Sequence, residues 1–514
     1  MKNGRLDYIS LIVPLLGIVT LSALFIAMPE QSQNFLYTVR SFLGDGFGLY
    51  YILLGVLIFG TTIYIAFSKY GSIRLGGAGN PPAYSNFTWG AMIFTSTMAA
   101  DIIFFSLSEW AMYAAEPRIS ELGDVQLWSA TFPLFHWGPI AWSFYIVLAV
   151  ALGFMLHNRG GKGAGKQKFS EACRPILGSY VDGIAGRAID LTAIFALLAG
   201  TATTFSLATP LISGSLARIF GLDDSTAFTI IILITVAVIY TTAVVIGMKA
   251  IAGLAKFSVH FFSVMLLYFL LLGGETRFIL ESGVSALGNL AQNFVGLATW
   301  ADPMRQNSFP QNWTIFYWAY WMAWCVATPF FVGMISRGRT IKNVVLGGYA
   351  WGLTGTFTSF IILGGYGMAQ QFLHGVDTII LIYEGVPVTY AILGVFETLP
   401  FTTLALLMLA LNMIIFYATT FDALTMVVSK YSYKELHEHE EPSKKMRIFW
   451  SVLFIILPTG LIFSESALHN LQSVAIIAAF PIGIIILLIV ASFFKDAQKL
   501  LQEENPKLSE GVGK

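Results

Sequence analysis

Charge is what this chain lacks. Of its 514 residues only 11% are Asp, Glu, Lys or Arg, where soluble globular proteins carry roughly 25%. With 56% hydrophobic residues beside them, so few charges cannot cover a soluble surface. A soluble enzyme, a disordered chain and a nucleic-acid binder are excluded. The 29 basic and 29 acidic residues cancel to +0, so no basic face of the nucleic-acid type is implied. Cysteine is nearly absent. Cys173 lies in a polar loop and Cys325 in an apolar run, and two such positions make neither a disulfide framework nor a metal-ligand spacing. His136 and Asp101 stand apart from any motif such as HExxH, so an embedded enzyme is not expected. No filter-like repeat of the channel type is present either.

What is present is apolar length. Twelve runs, roughly 8–28, 47–68, 87–115, 130–156, 189–212, 227–248, 256–273, 313–334, 344–369, 400–429, 447–464 and 470–494, approach the ~20 residues that cross a bilayer as helix. The first is too long and too weakly flanked for a cleaved leader and reads as a retained helix. With the amino terminus inside, 23 of the 29 basic residues fall on inner segments; Arg40, Arg118, Arg218, Arg277 and Arg305 fall outside and Arg187 sits at the inner mouth of span five. That bias predicts twelve spans with both termini cytoplasmic. Residues 277–299 place apolar residues at helical spacing and predict an amphipathic helix along the interface; 377–398 look similar. Each follows a group of spans, which hints at two related halves.

Aromatics make up 15% of the chain. Four of twelve tryptophans, Trp313, Trp318, Trp321 and Trp324, fall within 313–324. An interfacial belt accounts for the first two; Trp321 and Trp324 lie deeper, and Tyr317, Trp321, Trp324 and Thr328 share one helical face, with Tyr320 beside Trp324. Span four adds Trp137, Trp142 and Tyr145, with Pro139 able to bend the helix between them. Ring faces attract cations, above all quaternary ammonium groups, which donate no conventional hydrogen bond. Packing or a belt is the plainer reading. Span three holds Asp101 at its middle, after the small and hydroxyl run Thr95-Ser96-Thr97-Met98-Ala99-Ala100. An ionisable residue there is a functional candidate: it can take a proton, hold a sodium ion or face a cationic substrate. Glu109, Asp190 and Asp422 lie nearer span ends or other polar groups and suit structure and function equally. Thr419 and Thr420 in span ten, and Thr201, Thr203 and Thr204 in span five, either bond back to their own backbone or complete an oxygen-rich cation site. By charge alone 335–340 are positive-inside anchors.

The segments FHWGPIAW (135–142), DPMRQNSFPQNWTIFYWAYWMAW (302–324) and ISRGRT (335–340) resemble the betaine/choline/carnitine transporter family, over essentially the whole chain. The resemblance implies an all-α integral membrane protein of 12 transmembrane helices with LeuT-like inverted five-helix repeats preceded by two extra helices. The division would be 1–86 for those two, 87–276 and 313–494 for the repeats, 277–312 for the amphipathic helix and linker, and 495–514 for a cytoplasmic tail. It implies a homotrimer in the cell membrane, importing compatible solutes for osmoprotection, with no cofactor and no nucleic-acid partner. The family's cation box maps onto Trp137, Trp142, Tyr145 and Trp321, with Tyr320 and Trp324 beside it. Tyr320 departs from the tryptophan often found there. Met112 and Thr328 depart from the carnitine carriers and weaken a carnitine-exchange reading. Asp101 stands where proton-coupled choline carriers have an aspartate, with Met98 in the same ion-coupling stretch. The hydroxyls of a sodium site persist as Thr419 and Thr420, and of a second site only Thr201, with Leu197 one turn earlier. No Arg fills that place from span seven, where Val259 and His260 stand. The expectation is a proton-coupled symporter of choline or glycine betaine. Alternatives are a sodium-coupled glycine betaine symporter, with sodium at Thr419 and Thr420, and a carnitine-type exchanger. Osmosensing relatives have long charged tails, unlike 495–514, which argues against intrinsic osmotic activation.

Overall fold

The computed structural model describes residues 5–97, 99–159, 166–244, 248–436, 440–462 and 467–504. Met98, expected among the ion-coupling residues, and the second half of the tail lie outside them. Among the described residues the regular structure is helical, and β-pairing is confined to two isolated bridges, Leu6 with Tyr433 and Arg74 with Thr340. The long helices are α1 (Tyr8–Ala27), α2 (Gly48–Phe67), α3 (Asn86–Thr95), α4 (Ala99–Ala114), α5 (Val125–His136), α6 (Pro139–Asn158), α7 (Ile184–Phe220), α8 (Thr226–Val244), α9 (Met248–Leu272), α10 (Thr276–Thr299), α11 (Ile315–Trp324), α12 (Thr328–Ile335), α13 (Ile341–Ser359), α14 (Gly365–His374), α15 (Thr402–Tyr431), α16 (Lys444–Ile462) and α17 (Ala467–Glu504).

All twelve apolar runs fall on helix in their described parts. Among the described residues seven helices are long and apolar enough to cross a membrane, or nine if each bent pair is one span. The other three runs fall short for visible reasons. The apolar stretch of α8 covers only Thr226–Thr242. The π-helical turn Phe360–Gly364 separates α13 from α14. Finally, α16 opens on the charged Lys444, Lys445 and Arg447.

Three breaks shape the centre. Between α3 and α4 the chain bends by 66°. There Ser96 and Thr97 turn their hydroxyls back onto Ile93 O (3.1 Å) and Phe94 O (2.5 Å), which ends the helix. The freed carbonyls find partners on neighbouring helices. Thr328 Oγ1 donates to Ser96 O at 2.9 Å, and Thr420 Oγ1 lies 2.9 Å from both Thr95 O and Thr97 O. Non-helical backbone survives at membrane depth only when satisfied in this way. Between α5 and α6, Trp137 and Gly138 leave the helix and Pro139 starts the next one, the position where its missing N–H does no harm. Between α11 and α12 the bend is 56°, and Pro329 again sits in the first turn of the new helix.

Small residues let these pieces close up. A Cβ on Gly333 would lie 2.7 Å from the backbone N of Gly153, so α6 and α12 cross backbone to backbone. The amphipathic helix over 277–299 is α10. Its polar side meets α5, where Gln126 Nε2 donates to Ser282 Oγ (2.6 Å) and Asn289 Nδ2 to Thr131 Oγ1 (2.9 Å); Leu280, Val284 and Val295 are exposed. The second expected amphipathic helix, 377–398, is two short ones, Thr378–Tyr383 and Val388–Glu397. Gly385, at φ +84°, and Pro387 interrupt it, a conformation and a ring that a continuing helix does not admit.

The 335–340 loop does more than anchor. Arg339 is buried, its guanidinium 4.0 Å from the centre of the Trp89 ring, and it donates to Asn86, Asn343 and Tyr84 O. Trp89 Nε1 donates to Ser336 Oγ at 3.0 Å.

Candidate functional site

The breaks place four rings together. Trp137 ends α5, Trp142 and Tyr145 lie one and two turns into α6, and Trp321 comes from α11. All four are buried. The Trp321 ring lies 5.6 Å from Trp137, 5.3 Å from Trp142 and 4.8 Å from Tyr145, with interplanar angles of 68°, 60° and 59°. Trp142 and Tyr145 are 6.1 Å apart at 79°. These are edge-to-face and tilted contacts with Trp321 at the hub. Among the described residues the indole N–H groups of Trp142 and Trp321 have no hydrogen-bond partner. Gly352 of α13 makes room for Trp142, since a Cβ there would sit 2.6 Å from the indole.

The other two aromatics point elsewhere. Trp324 faces Phe421 (6.2 Å) and packs over Gly200. The bend after Trp324 carries Thr328 off the shared face, toward the α3–α4 break. Tyr320 stacks on Phe316 (5.5 Å, 17°) and sends its hydroxyl to Asp101.

Asp101 lies in the first turn of α4 and is fully buried. A carboxylate at a helix start is favoured by the backbone dipoles. Its Oδ2 accepts from Thr204 Oγ1 at 2.6 Å and Tyr320 OH at 2.8 Å. Tyr417 OH holds the same turn of α7 by donating to Thr204 O at 3.1 Å. Among the described residues Asp101 Oδ1 has no partner. The carboxyl therefore has one oxygen satisfied by two hydroxyls and one oxygen open, as taking up a proton requires.

The hydroxyls expected at sodium sites separate. Only Thr420 reaches another element, at the carbonyls of the break. Thr419 bonds back to Ile415 O (3.2 Å) and Phe416 O (3.0 Å), and Thr201 to Leu198 O (3.0 Å). Among the described residues no cluster of three His, Cys, Asp or Glu side chains could hold a metal ion.

A second buried carboxyl reaches the rings. Glu109, eight positions after Asp101 on α4, is fully buried. Its Oε2 accepts from Trp137 Nε1 at 2.9 Å and its Oε1 from Tyr113 OH. Tyr113 OH lies 2.5 Å from His136 Nδ1, and His136 Nε2 lies 3.0 Å from Thr314 Oγ1. His136 also stacks on Tyr317 (4.9 Å, 17°). Sequence reasoning left Glu109 undecided and passed over Tyr113. The available signal was their i, i+4 spacing on an otherwise apolar span. Asp190, by contrast, ties down the segment between α6 and α7 by accepting from Ser170 N (3.0 Å) and Oγ (2.9 Å).

Comparison with known proteins identifies the family. Residues 10–502 match the family described as BCCT, betaine/carnitine/choline family transporter. The chain is 32% identical over 504 residues to a probable glycine betaine transporter of Desulfitobacterium hafniense, covering 96% of this chain and 97% of that one. It is 29% identical over 483 residues to the glycine betaine transporter OpuD of Bacillus subtilis, covering 92% and 91%. It is 27% identical over 460 residues to a high-affinity choline transport protein of Escherichia coli, covering 87% of this chain and 66% of that one.

Proposed function

Because the chain belongs to the betaine/carnitine/choline transporter family, and so is a membrane transporter rather than an enzyme, we propose that it is a proton-coupled symporter of choline or glycine betaine in the cell membrane. The observation that carries the substrate reading is Trp321, one ring touching Trp137, Trp142 and Tyr145. Such faces replace the water of a trimethylammonium group, at about 1–2 kcal/mol per desolvated contact. In the present conformation the rings touch one another. The cation enters when α11 and α12 part from α5 and α6, and alternating access rocks the broken helices α3–α6 and α11–α14 against the remainder. The two inverted repeats, 87–276 and 313–494, each open on one of the bent helices, which supports the twelve-span reading. No Lys or Arg lies among the described box residues, which favours a cation such as choline.

Asp101 is the coupling residue in this reading. Its open oxygen takes the proton from outside and gives it up inside, while Thr204 and Tyr320 hold the other. The membrane potential adds about 2.3 kcal/mol per charge per 100 mV. A second reading, sodium coupling, is supported by the three oxygens of Thr95, Thr97 and Thr420 at the break. Against it, Thr420 already satisfies those carbonyls, and Thr419 and Thr201 bond within their own helices.

Counterflow of labelled choline, glycine betaine and carnitine in proteoliposomes, with and without sodium, tests the proposal. Saturable choline exchange without sodium, weakened by Trp321→Ala, is expected. Exchange that needs sodium contradicts the coupling; exchange unaffected by Trp321→Ala contradicts the box.

A further inference from the structure

The row from Thr314 through His136 and Tyr113 to Glu109 ends on a ring of the cation box. Thr314, His136, Tyr113, Glu109 and Trp137 are all buried. Outward of them, Trp313 Nε1 donates to Glu116 Oε1 at 2.8 Å, near the outer end of α4, and the Trp313 ring packs on Tyr113 at 4.8 Å. Inward the row stops: the Phe105 ring lies against those of Trp137, Tyr317 and Tyr320. Phe105 thereby separates Glu109 from Asp101, about 12 Å away along the helix.

We propose, building on the cation-box reading, that Glu109 is a positioning residue acting on the substrate through the indole N–H of Trp137, and that Thr314, His136 and Tyr113 carry protons to it from the outer side. The hydrogen count supports the path. Tyr113 has one hydroxyl hydrogen. With Glu109 ionised, Tyr113 donates to Glu109 Oε1, so His136 donates from Nδ1 to the Tyr113 oxygen and accepts at Nε2 from Thr314. With Glu109 protonated every bond in the row reverses. The first arrangement becomes the second in four transfers. A proton from the outer solution binds Thr314 Oγ1 as the proton already on that hydroxyl passes to His136 Nε2. The Nδ1 proton then passes to the Tyr113 oxygen, and the Tyr113 hydroxyl proton passes to Glu109. His136 and Tyr113 end neutral, and only Glu109 has changed charge.

That charge matters to the ring. An ionised Glu109 takes the Trp137 N–H in a charge-assisted hydrogen bond, which pins the indole and enriches the face that meets the cation. Protonation at Oε1 leaves Oε2 a neutral acceptor and weakens both effects, so cation affinity falls as the outer side is acidified. The groups hydrogen-bonded to Glu109 are Tyr113 and Trp137, neither of them positively charged. Titratable groups on other elements packed against α4 turn elsewhere: Tyr417 to the Thr204 carbonyl, Tyr366 to Thr398, Tyr349 to Ser143, Glu397 to Arg218, His374 to Glu275 and Arg118 to Glu121. Tyr383 and Tyr390 are exposed.

The test is choline counterflow at equal pH on both sides, which needs no gradient, in the full chain and in Glu109→Gln. The ratio of the variant KM to the unsubstituted KM cancels any contribution from Asp101. It is expected to climb with pH by up to about tenfold per pH unit across the titration. A pH-independent ratio overturns the proposal. In a Trp137→Phe background the Glu109→Gln ratio is expected to be flat; a ratio that still climbs overturns the route through Trp137. Should Glu109→Gln not assemble, Trp137→Phe against the unsubstituted protein makes the same comparison. The readings fail separately. Loss of gradient-driven uptake in the unsubstituted protein would refute the coupling role of Asp101 and leave the KM ratio readable.

Discussion

At the scale of the residue, two features divide the work: a hub ring and a half-satisfied carboxyl. Trp321 meets three other rings, so Trp321→Ala removes the central ring and loosens the three that pack on it. At about 1–2 kcal/mol for a desolvated contact, the KM for choline should rise roughly tenfold or more; Trp321→Phe should fall between. Initial rates across choline concentrations check this. Thr204→Val and Tyr320→Phe each remove one of the two donors to Asp101 Oδ2. Each should slow uptake driven by a pH gradient and leave counterflow closer to normal, because the donors serve the carboxyl rather than the rings. Equal losses in both assays would mean that they serve binding alone.

At the scale of the element, broken helices make the site. The α3–α4 break is held from outside itself, through Thr328 and Thr420. Replacing a buried donor leaves a carbonyl unpaired at about 1–3 kcal/mol, so Thr328→Val should lower the melting temperature in detergent. The α6–α12 crossing is stricter. A Cβ on Gly333 meets backbone rather than a yielding side chain, and Gly333→Ala should destabilise by about 1–3 kcal/mol. A thermal melt equal to that of the unsubstituted protein would contradict the close crossing. Much of this level was legible in advance. Apolar length marked the helices, Pro139 the α5–α6 break, and the small-residue run the α3–α4 break. Two features were not. The bend after Trp324 carries no glycine and only Pro329 beyond it, so the face linking Tyr317 to Thr328 was drawn along a straight helix. Residues 377–398 keep a helical rhythm of apolar residues through a turn set by Gly385 and Pro387, and rhythm alone does not see a local backbone angle.

At the scale of the whole molecule, the scarcity of charge becomes a distribution. Basic residues collect on the loops expected to lie inside, and one of them, Arg339, is folded back over Trp89 and stitches the 335–340 loop to the start of α3 and to Tyr84 before it. Arg339→Ala should therefore impair transport more than Arg337→Ala, read as the initial rate at equal protein level. The family was legible because aromatic and glycine-proline motifs are local in sequence. Glu109 and its row were not, since Tyr113, His136 and Thr314 meet only after α4, α5 and the turn before α11 have packed. Two buried carboxyls stand on one helix, Asp101 bonded to Tyr320 and Glu109 to Trp137, one of the four rings proposed to hold the cation. The most direct test of the central claim is labelled choline uptake into sodium-free proteoliposomes under an inward pH gradient, comparing the full chain with Asp101→Asn. Accumulation by the unsubstituted protein, lost in the variant while counterflow persists, is the predicted result. Equal accumulation by both, or none without sodium, would contradict it.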